Sequence, residues 1–241
     1  MEAKKIEWIQ PPSVLADGLL AYAKGIYQET QDRGQLFSED EFAEKLSGDF
    51  SGKIRFHFLL WVVDLNKVID GINIVLSDMN DMIADRNSFK GNPVIRTEFL
   101  MIAFFGEFFR LREISKIYLK NFFKAGLLVD PTKKFLVDSY YEIFKQFYEV
   151  RNQIVHQGIC FAENDINVDW SIFKDLPDEV KEKFIALLRQ ANTKENTVEI
   201  QCAIYIKVIK NIMDVYGKFQ DKINEVLADM VIAYEEQIVK P

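Results

Sequence analysis

Apolar positions along the chain recur mostly at steps of three and four, the period of a helix that buries one face. The pattern is clearest where Leu136, Tyr140, Ile143, Phe147, Val150 and Ile154 follow one another at alternating steps of four and three. It predicts a helix over about 131–157, opened by Asp130 and Pro131 and ended by Gly158. Similar punctuation predicts a helix from Ser13 to near Gln31 before Gly34, and a short one from the Ser38/Glu41 capping box to Gly48. A long helix follows from about Gly52 to Arg86, with Phe56, Leu60, Val63, Ile69 and Leu76 close to one face and a bend expected at Gly71. Pro93 opens a helix to Lys124 before Gly126, Asp175 and Pro177 open another to about Gln190, and Thr197 precedes a last one to about Ile238, with a break expected at Gly217.

One stretch departs from this period. Ile166, Val168, Trp170 and Ile172 alternate with Asp165, Asn167, Asp169 and Ser171, which predicts a strand able to pair with Ile159 to Phe161 as a small β-hairpin. The expected fold is therefore all-α, a helical bundle of about six to seven helices with a hairpin after the 131–157 helix. There is no internal repeat and no Gly/Ser linker, and the long helices cross any midpoint, so residues 1–241 are expected to form a single domain.

Composition narrows the chemistry. Hydrophobic residues make up 49% of the chain, and its 20 Phe supply much of the area for a core; Phe104, Phe105, Phe108, Phe109, Phe122 and Phe123 read as packing rather than as stacking platforms for bases. The longest apolar run, from Phe99 to Gly106, lies between Glu98 and Glu107 and falls well short of the roughly 20 residues of a bilayer-spanning helix, so no membrane partner is expected. Residues 1–12 are charged and unlike a secretory signal, which suggests a cytoplasmic protein. Cys160 and Cys202 fit no disulfide or zinc pattern and read as reduced core residues.

The two histidines, His57 and His156, fall on different helices, and there is neither an H-E-x-x-H nor a glycine-rich phosphate loop; no metal and no cofactor are expected. His57 shares a face with Trp61 and Asp64 among aromatic neighbours and reads as structural. A net charge of −7 opposes non-specific binding to nucleic acid, so any such site has to be a local cationic patch. Arg112, Lys116, Lys120 and Lys124, at successive steps of four, form a basic row that an RNA backbone can track. Cations at a helix C-terminus also complement its dipole, and exposed lysine is the default, so the row has a plain structural reading as well.

The predicted 131–157 helix ends in Arg151-Asn152-Gln153-Ile154-Val155-His156. Glu149, Asn152 and His156 stand at steps of three and four on one face, with Arg151 beside them at the edge of the apolar seam. RNA cleavage without metal needs a group to take the 2′-hydroxyl proton, a group to protonate the departing 5′-oxygen, and a cation for the charge gathering at phosphorus. Histidine suits the proton transfers and arginine the charge, as a fork that matches two phosphate oxygens. Asn152 can hydrogen-bond the imidazole or the phosphate, and Glu149 can orient the ring. Arg and His near a helix end also stabilise it without catalysis.

The stretch from Glu149 to Gly158 resembles the signature of the HEPN superfamily: an arginine, often followed by a polar residue such as asparagine, then a histidine after four to six intervening residues. The resemblance implies a helical bundle that forms a homodimer, with Arg151 and His156 catalytic and Asn152 supporting in a site at the interface. It also implies RNA, single-stranded or in loops, as substrate, an antitoxin or regulatory protein as a further partner, and a role in defence or stress. A toxin subgroup carries tyrosine two residues after the histidine, where this chain has Gly158. Two other readings compete: a non-catalytic helical dimer that binds a protein or small ligand, and a nucleotide-binding regulator that uses Arg151 on a phosphate.

Overall fold

The computed structural model describes residues 5–38, 41, 45, 50–85, 90–157 and 198–239. Among them every long regular element is an α-helix: α1 (Ser13–Arg33), α2 (Phe50–Ala84), α3 (Pro93–Lys124), α4 (Asp130–Gln157) and α5 (Val198–Val239). The fold is all-α. The small hairpin expected over 159–172, the helix expected over 175–190, Cys160 and the stops at Gly48 and Gly158 lie outside the described residues.

Local chemistry sets the helix ends. Gly34 closes α1 in the left-handed conformation at φ 68°, where a Cβ would be strained, and its N–H donates to the Gln31 carbonyl. Pro93 fills the first position of α3, where its missing N–H costs nothing. Ser38 and Glu41 form the expected capping box: the Ser38 N–H donates to the Glu41 carboxylate at 2.9 Å, and the Glu41 N–H donates to the Ser38 hydroxyl at 3.2 Å. Those bonds and the neighbouring Arg33 guanidinium hold the Glu41 carboxyl below its ordinary pKa.

Two expectations about the long helices are corrected. Gly217 does not break α5, which runs uninterrupted from Val198 to Val239; an isolated glycine costs only about 1 kcal/mol against alanine, and the buried side chains of Met213, Tyr216 and Gln220 anchor the helix on both sides of it. Helix α2 runs on through Gly71, from Phe50 to Ala84. The buried face of α2 also differs from the expected one: Val63 is 40% exposed, and Phe58, Trp61, Leu65, Val68, Ile72 and Met79 form the seam with Ile69 and Leu76. Apolar residues surround much of α2, so periodicity alone admits more than one stripe, and Trp61 lies on the one that is buried.

The chain gathers into two compact units that draw on the same helices. The first comprises Met1–Trp8, Lys67–Glu113 and Ser139–Tyr216, the second Ile9–Asn66, Ile114–Asp138 and Gly217–Pro241. The first is organised around Phe108, whose ring lies 5.3–6.0 Å from those of Phe104, Phe144, Phe147, Tyr148 and Tyr216. Cys202 is buried there as a thiol beside the Thr97 hydroxyl at 3.6 Å, and burial pushes its pKa up. In the second unit Trp61 meets Phe58, Tyr118 and Phe122 at centroid distances of 5.7–6.5 Å. The Tyr118 hydroxyl donates to Asp64 at 2.7 Å.

The segment before α1 is held by two asparagines of α2 placed seven residues apart. In the second unit Asn66 accepts from the Ile9 N–H at 2.9 Å and donates to the Ile9 carbonyl at 3.0 Å. In the first, Asn73 does the same for Ile6 at 2.9 and 3.1 Å. Each amide thereby satisfies both polar groups of a residue that lies in no ladder of its own. No described helix is long and apolar enough to cross a membrane.

Candidate functional site

Helix α4 is continuous from Asp130 to Gln157, so positions 149, 151, 152 and 156 belong to one helix. Among the described residues its buried side chains are Leu136, Tyr140, Phe144, Phe147 and Tyr148. Ile143, expected in the seam, is instead 40% exposed. The expected heptad stripe drifts relative to a straight helix of 3.6 residues per turn, which brings Phe144 and Tyr148 inward and leaves Ile143 at the margin. The side chains of Arg151 and His156 lie outside the described residues. Positions 149, 152 and 156 fall on one side of the helix, where Glu149 is half-buried and Asn152 exposed.

The basic row divides. Arg112 lies in the first unit, only 20% exposed, with its guanidinium carbon 5.9, 5.1 and 5.4 Å from the ring centroids of Phe109, Tyr141 and Tyr148 and with Nη1 3.0 Å from the Glu113 carboxylate. Its Nε is buried and finds no hydrogen-bond partner among the described residues. Aromatic faces and one carboxylate compensate the desolvated charge. Burial pushes the Tyr148 hydroxyl well above the ordinary tyrosine pKa, outweighing the opposing pull of Arg112, so it stays neutral. Sequence reasoning placed Arg112 correctly at a helix step of four but missed this aromatic cage, two of whose three rings, Tyr141 and Tyr148, lie on another helix.

Lys116, Lys120 and Lys124 stand in the second unit and do come together, joined by two further lysines. The turn after α3 accounts for this. Gly126 takes φ 84°, its N–H donates to the Phe123 carbonyl, and the Leu127 N–H donates to the Phe122 carbonyl, both at 3.0 Å. These are the two bonds of a Schellman motif, completed by the burial of Phe122 and Leu127. The chain then reverses, and Asp130 opens α4 after only a short turn. Lys133 and Lys134 are thereby brought beside the end of α3, around a groove of about 410 Å³ lined by Lys116, Lys120, Lys124, Phe123, Asp130 and Asp138 as well.

Within that groove Lys133 donates to Asp130 at 2.6 Å and rests its ammonium 3.9 Å from the centre of the Phe123 ring. Lys116, Lys120, Lys124 and Lys134 are exposed. Phe123 is therefore covered by a cation, in keeping with its expected packing role. Among the described residues no group of three or more histidine, cysteine or acidic side chains comes together as a set of metal donors. Comparison with protein-family models, with curated proteins and with solved structures finds no match to this chain.

Proposed function

We propose that the protein is a metal-independent endoribonuclease of HEPN type that acts as a homodimer on single-stranded or looped RNA. The observation that carries this reading is the unbroken course of α4 through Gln157, which keeps positions 149, 152 and 156 on one helix side away from the buried seam, with Asn152 exposed to an incoming chain. The motif Arg151-Asn152-x-x-x-His156 supplies the groups the reaction needs.

The 2′-oxygen attacks phosphorus while one His156 imidazole takes its proton. The bond from phosphorus to the 5′-oxygen breaks, and a second imidazole, already protonated, gives that oxygen a proton. The products are a 2′,3′-cyclic phosphate and a 5′-hydroxyl. Arg151 neutralises the charge that builds on the non-bridging oxygens, Asn152 hydrogen-bonds the imidazole or the phosphate, and Glu149 orients the ring. Each chain carries one histidine in the motif, so the second comes from a two-fold related copy.

Replacing Arg151 by Lys tests the role of the guanidinium. The charge remains but the planar fork is lost, so turnover is expected to fall at least about tenfold while affinity for RNA changes little. Rates under saturating RNA, compared with binding to an uncleavable analogue, separate the two quantities. Unchanged turnover would make Arg151 a purely structural cation.

A further inference from the structure

We propose that the lysine groove between the end of α3 and the start of α4 is an RNA backbone-binding site, formed by Lys116, Lys120, Lys124, Lys133 and Lys134. The inference rests on RNA being the substrate and adds where its backbone is held. Five ammonium groups there face two carboxylates, Asp130 and Asp138, in a chain whose net charge is −7. One of those carboxylates is already engaged by Lys133. Lys120, Lys124 and Lys134 have no hydrogen bond or ion pair among the described residues.

Like charges gathered around one concavity repel one another, and an acidic chain has ample carboxylates with which to neutralise them. Among the described residues the groove instead leaves three ammonium groups without a paired carboxylate, the arrangement a polyanion completes. The shape favours an extended strand. Steps of four along α3 place successive lysines about 6 Å apart along the helix axis, a cationic track rather than a point site, while Lys133 and Lys134 line its other wall. The ring of Phe123 floors the groove and is covered by Lys133, so recognition falls on the backbone phosphates and sequence readout on stacking is not expected. The Schellman turn at Gly126 fixes the two walls against each other before any ligand arrives.

The test is the salt dependence of binding to a fully 2′-O-methylated single-stranded RNA, which lacks the attacking hydroxyl and cannot be cleaved by the proposed route. The triple variant Lys120→Gln, Lys124→Gln, Lys134→Gln is compared with wild type and with Lys90→Gln, Lys207→Gln, Lys222→Gln, which removes as many exposed charges elsewhere. Thermal melting establishes that both variants are folded. Removing three phosphate contacts should flatten the slope of log affinity against log salt by about 2 and weaken binding at low salt, while the control keeps the wild-type slope. An unchanged slope in the groove variant, equal flattening in both variants, or wild-type binding to vesicles of anionic lipid but not to RNA would overturn the proposal. Because the probe is not cleavable, loss of cleavage and loss of groove binding are read separately: a protein that binds through the groove but cuts nothing refutes the ribonuclease reading alone.

Discussion

Replacing His156 by alanine is expected to lower the turnover of RNA cleavage by about 10²- to 10⁴-fold, the usual contribution of a positioned acid–base group. RNA affinity should change far less, because phosphate binding is assigned to cationic side chains. The composite nature of the site is read in a mixed dimer of two differently tagged, co-purified chains, only one of which carries His156→Ala, after light scattering confirms its mass. If both histidines serve one reaction, this dimer should lose most of its activity, whereas two independent sites would retain about half because uncoupled contributions add. A fully active monomer would eliminate the shared site.

The largest expected effect on stability falls at Phe108. Its ring is buried against five other aromatic rings from α3, α4 and α5. Phe108→Ala removes that burial and leaves a cavity that a set of interlocked rings cannot readily close, so a loss of about 3–5 kcal/mol is expected. Phe99 is exposed on the same helix, and Phe99→Ala should stay within about 0.5 kcal/mol of wild type. The midpoints of denaturant unfolding measure both. Similar shifts for the two would show that the aromatic cluster does not hold the first unit together.

Much of this fold is written in short-range chemistry and can be read along the chain. Pro93, the Asp130-Pro131 pair, Gly34 and Gly126 mark helix ends because each imposes its backbone preference without a distant partner. The capping box at Ser38 and Glu41 is local in the same sense. Burial is less legible. Choosing Phe144 over Ile143 on α4, or Trp61 over Val63 on α2, depends on what the other helices present, and an apolar stripe of several candidates does not contain that choice.

Polar residues with distant partners show the same limit more strongly. Nothing near Asn66 or Asn73 in sequence announces that they clasp the backbones of Ile9 and Ile6. Arg112 belongs to the basic row by spacing, yet Tyr141 and Tyr148 draw it into an aromatic cage. Lys133 and Lys134 join Lys116, Lys120 and Lys124 only once the turn at Gly126 has reversed the chain. The motif itself was legible as a set of residue types, because the chemistry it suggests requires an imidazole and a guanidinium. The course of α4 adds that positions 149, 152 and 156 share one side of a continuous helix.

Incubation of the purified protein with single-stranded RNA in excess EDTA, followed by analysis of the new ends, tests the ribonuclease reading most directly. The expected result is cleavage by wild type that the chelator does not slow, with 2′,3′-cyclic phosphate and 5′-hydroxyl ends, and its loss in His156→Ala. Cleavage that needs added metal, fragments ending in 3′-hydroxyl groups, or intact RNA after incubation with the folded wild-type protein would contradict it.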